Sequence, residues 1–85
     1  MTDTDDLKAI RNHLGLSVEA MAREMGMSKA GYHNLEQGKA EVKKIHLAQA
    51  YMVALDMALF LENPMLVPAP LRKKALELAR LITDG

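Results

Sequence analysis

Residues 16–38 read Leu-Ser-Val-Glu-Ala-Met-Ala-Arg-Glu-Met-Gly-Met-Ser-Lys-Ala-Gly-Tyr-His-Asn-Leu-Glu-Gln-Gly. The stretch reads as two short helices joined by a tight turn at Gly26. The Ser17 hydroxyl can accept a free amide N–H of an opening helical turn. Met21, Ala22 and Met25 then fall on one helical face. Gly26 can take a positive φ and end that helix at little steric cost. Ser28 is a second cap, Tyr32 and Leu35 supply the next apolar pair, and Gly38 closes the second helix. Two helices with so brief a turn must cross steeply, as in a helix-turn-helix.

Upstream, Leu7, Ile10 and Leu14 form one buried stripe, capped by Thr4 or Asp5 and ended by Gly15. Residues 1–4 are expected to be loose. Residues 39–44 form a polar link. Residues 45–61 are apolar on nearly every side, interrupted by His46, Gln49 and Asp56. With no Gly or Pro between Lys43 and Glu62, this reads as one long helix. Its length would suit a membrane span, but its interior polar residues and charged flanks argue against one. A helix apolar all round is normally buried all round, so a face left over by a small core must meet something else. Asn63-Pro64 ends it. Pro68 and Pro70 keep the next stretch extended, and Pro70 opens a last helix to about Thr83. Leu71, Ala75, Leu78, Ala79 and Ile82 form its stripe, with Arg72, Lys73, Lys74, Glu77 and Arg80 elsewhere. Such a helix either covers its own core or reaches a second subunit, and the surplus apolar surface favours the second.

The pattern resembles the phage Cro and repressor-like helix-turn-helix family. Arg11, Leu14 and Gly15, Leu16-Ser17, Met21-Ala22, Gly26-Met27-Ser28, Tyr32 and Leu35-Glu36-Gln37-Gly38-Lys39 carry the resemblance, over roughly residues 7–54. It implies an all-α, lambda-repressor-like bundle of about five helices, with a long apolar fourth helix and an amphipathic C-terminal one. Residues 1–62 would be the DNA-binding domain, and 63–85 a proline hinge and dimerisation element. The resemblance places Arg11 to pair with Glu36, two parallel hydrogen bonds locking helix 1 to helix 3; solvated surface charges are the alternative. It makes residues 28–37 a recognition helix for the major groove, with Lys29, Ala30 and Asn34 reaching bases. Lys29 suits guanine O6 or N7, and Asn34 suits adenine N6 and N7. Exposed His33 can meet a base or phosphate. Phosphates would meet the amides near Ser17, Val18 and Glu19, together with Ser28, Gln37, Lys39, Lys43 and Lys44. The chain departs from the family at Val18, where a phosphate-bracing glutamine is frequent. Gly31 departs from good helix formers, at a cost of up to about 1 kcal/mol relative to alanine.

Composition sets the remaining bounds. Eighty-five residues, 49 % apolar and 26 % charged, make one small globular domain that a partner chain would help to stabilise. With no cysteine, neither disulfides nor thiolate metal sites can form. The acidic N-terminus lacks a signal-peptide pattern, which points to the cytoplasm. Net charge is zero, but from Arg23 to Lys44 five basic residues face three acidic ones. No catalytic constellation, phosphate loop or cofactor motif is present, and His33 with Glu36 lacks the further ligands of a metal site. The expected function is therefore a dimeric regulator on a palindromic operator of double-stranded DNA. The alternative is an antitoxin-like or adaptor module that binds a partner protein through helix 45–61 and the C-terminal helix.

Overall fold

Five helices follow one another in a computed structural model that describes residues 3–84: α1 Asp3–Leu14, α2 Val18–Glu24, α3 Lys29–Glu36, α4 Lys44–Leu61 and α5 Ala69–Asp84. A single 3-10 turn, Pro64–Leu66, links the last two, and no strand occurs among the described residues. The fold is the all-α helix-turn-helix bundle expected. α2 packs on α3, α1 packs on both α3 and α4, and the 3-10 turn packs on α4. Their shared core holds Leu7, Ile10, Met21, Ala22, Tyr32, Leu35, Ala50, Val53 and Ala54.

The helix ends follow from local chemistry. Ser17 accepts from the Ala20 amide at 3.0 Å, and Ser28 accepts from the Gly31 amide at 3.0 Å. α1, α2, α3 and α4 each end with an amide five residues on bonding back into the last turn. These bonds are Leu16 to Arg11, Met27 to Ala22, Lys39 to Asn34 and Asn63 to Ala58. The residue in between must be left-handed. Gly15, Gly26 and Gly38 fill it at φ near +72° to +76°, but after α4 the position belongs to Glu62, at φ 53°.

Three expectations need correction. α1 is already helical at Asp3, so Asp3 and Thr4 are ordered, and Thr4 and Asp5 lie inside the first turn rather than capping it; the looseness expected of Met1 and Thr2 lies outside the described residues. The stretch after Asn63 is not extended throughout. The Asn63 side chain accepts from the Met65 amide at 3.1 Å and starts the 3-10 turn. α5 begins one residue earlier than Pro70 and buries none of its described side chains, so it does not cover the protomer's own core. α4 runs unbroken, as expected. It buries its small residues, Ala50, Val53, Ala54 and Ala58, and this brings its axis close to α1.

Candidate nucleic-acid interface

The exposed side of α3 is built by subtraction. Tyr32, Leu35 and Glu36 turn inward and are buried, which leaves Lys29, Ala30, His33 and Asn34 exposed. Gly31 lies between them. A Cβ there would stand 3.0 Å from the Ser28 Oγ that caps the helix, so the glycine leaves room for its own cap.

Glu36 anchors the helix from behind. Arg11 Nε donates to Glu36 Oε2 at 2.6 Å and its NH2 donates to Oε1 at 3.0 Å, while NH1 donates to the Leu16 carbonyl at 2.9 Å. One guanidinium therefore ties α1, the entry to α2 and the end of α3 together. The carboxylate side chain is only 3 % exposed. Burial by itself would raise its pKa; the Arg11 hydrogen bonds, the adjacent Tyr32 hydroxyl and the Arg11 charge outweigh burial and hold it below the ordinary glutamate value. The buried Tyr32 hydroxyl has no partner in good hydrogen-bonding geometry. Burial first, then the neighbouring carboxylate, raise its pKa, so it stays protonated.

With Glu36 neutralised internally, the outward charges from Lys29 to Lys44 are four lysines (Lys29, Lys39, Lys43, Lys44) against Glu41 alone. That local excess of three exceeds what the raw sequence count suggested. Gln37 is also exposed. At the start of α2 the Ser17 hydroxyl is engaged as a cap and Glu19 is exposed. Val18 packs its side chain against the core, so only its backbone can face a ligand. Ser28 is likewise engaged as a cap.

His46, which the sequence marks only as a polar interruption of the fourth helix, also shapes this region. Its Nδ1 accepts from the Lys43 amide at 2.9 Å, which places the ring proton on Nε2 and fixes the backbone that carries Lys43 and Lys44. Capping residues with this spacing are ordinarily glutamate or glutamine, so histidine three residues into α4 gave no cap signal.

A packed pair of short helices joined by a tight turn, capped at both starts and presenting a polar outer face, defines a helix-turn-helix protein of the DNA-binding class. In keeping with that geometry, a family model described as a helix-turn-helix domain matches residues 5–58. The chain belongs to this helix-turn-helix domain family. Neither the curated proteins nor the solved structures compared with the chain gave a match.

Proposed function

We propose that this protein is a Cro- or repressor-like transcriptional regulator that binds a palindromic operator as a homodimer in the cytoplasm. The carrying observation is the outward face of α3, where Lys29, Ala30, His33 and Asn34 stand exposed beside a local lysine excess. Inserted in the major groove, Lys29 and Asn34 read base edges, Ala30 meets a thymine methyl and His33 contacts a base or phosphate. Ser28, Gln37, Lys39, Lys43 and Lys44, with the backbone from Ser17 through Val18 to Glu19, hold phosphates on either side. Residues 1–62 do the binding and residues 63–85 pair the protomers. No catalytic residue, metal or cofactor enters this reading, and none of its parts sits in a membrane.

Selection of bound duplexes from a random pool tests it. The expected product is a palindrome whose half-sites lie about one DNA turn, roughly 34 Å, apart. Failure to enrich any sequence at low salt removes the proposal. The exposed apolar surface of α4 and α5 favours a second reading, an antitoxin-like or adaptor module holding another protein; a chain that binds no duplex would leave that one standing.

A further inference from the structure

Among the described residues, ten large apolar side chains are more than half exposed, and all lie from Ile45 to Ile82, on α4, the 3-10 turn and α5. None lies on α1, α2 or α3. At on the order of 100 Å² each, they expose on the order of 1,000 Å². A stable interface takes about 800 Å² from each partner, so apolar surface of this order is enough to build one. The arrangement inverts the usual sorting by size. α4 buries alanines and Val53 while Leu59 is 76 % and Phe60 85 % exposed.

α5 stands off the bundle. Its 16 residues bury no described side chain, and a helix of that length is marginal in water by itself. The radius of gyration is 13.7 Å, against about 12 Å for a compact chain of this size, with extents of 45 × 24 × 19 Å. Between the last turns of α4 and the start of α5 runs an open groove lined by Leu55, Ala58, Leu59, Val67, Ala75 and Leu76.

We infer that this groove receives α5 of a second copy, the two protomers exchanging arms about a two-fold axis. Two observations select that occupant. Leu71, Ala75, Leu78 and Ile82 recur at spacings of four, three and four, the seam a helix needs to lie along other helices. Groove and seam sit on one chain, so a two-fold axis fills both grooves with both seams and closes the assembly. This inference names the surface behind the homodimer of the proposed function and rests on that part of it, but not on DNA binding.

The absence of cysteine makes a cross-linking test clean. Leu59→Cys and Leu78→Cys chains with different tags are mixed and oxidised. Mixed cross-linked dimers are expected, in excess over self-linked Leu78→Cys. Sedimentation of the unmodified chain should give a dimer. Leu78→Asp with Ile82→Asp, both on the seam and exposed in the protomer, should weaken it about tenfold or more. Thermal melting of each variant separates lost pairing from lost fold. A monomer at high protein concentration, or self-linked Leu78→Cys in place of the mixed product, overturns the exchange. A cross-linked dimer that selects no duplex supports the exchange while removing the DNA reading.

Discussion

Arg11 and Glu36 do the most with the fewest atoms. Two hydrogen bonds between oppositely charged, largely buried groups fix α3 against α1, and a third reaches the Leu16 carbonyl. Removing one partner strands the other. Arg11→Ala should therefore cost about 3–5 kcal/mol in a denaturant titration, and Glu36→Gln should fall near the lower end because Arg11 can reach water. The sign of the pH effect follows from the lowered Glu36 pKa. The pair contributes fully above the unfolded glutamate value of about 4.3, and its contribution fades as pH falls through the lower folded value. The stability gap between the native chain and Glu36→Gln should accordingly narrow below about pH 4. At the residues proposed to read bases, Asn34→Ala should relax preference at one operator position by about 1–3 kcal/mol, measured by competition among operator variants. Lys39→Ala should instead weaken all duplexes alike and lower the salt slope by about one per protomer.

Elements were largely legible where their signals are local. Ser17, Gly26, Ser28 and Gly38 mark starts and stops because a hydroxyl satisfies an orphan amide and a glycine tolerates left-handed backbone. Apolar spacing then showed which faces of α1, α2 and α3 turn inward. α4 offered no such stripe, so its core face was unreadable; packing against α1 chose the side with alanines. The Arg11–Glu36 pair, 25 residues apart, was visible through family resemblance alone. The bond from His13 Nε2 to the Met65 carbonyl at 2.6 Å spans 52 residues and leaves no trace in any local pattern. The 3-10 turn escaped notice because Asn63 and Pro64 read equally as a break. Two substitutions test the helix ends. Ser28→Ala should destabilise by about 1 kcal/mol. Glu62→Gly should stabilise by up to about 1 kcal/mol, because it relieves the one left-handed non-glycine residue among those described.

At the scale of the whole molecule the chemistry is divided between two ends. One end is polar, with its lysines outward and its single buried carboxylate neutralised. The other keeps its largest apolar side chains at the surface. Net charge, zero over the sequence, describes neither. A duplex-binding dimer should consequently lose affinity steeply with added salt, while its self-association, driven by apolar burial, should fall much less. The two dependences can be read side by side by fluorescence anisotropy and sedimentation.

α1 grips both ends. Arg11 clasps the close of α3, and His13, two residues along the same rod, clasps the Met65 carbonyl in the 3-10 turn that leads to α5. In the proposed dimer, a single rigid bar would set the offset between the helix that reads a half-site and the arm that joins the twins, and so serve as a ruler. Lengthening the segment between Asn63 and Pro68 by one residue would recalibrate that ruler, and the tolerated spacer between operator halves should shift with it while the preferred bases stay the same.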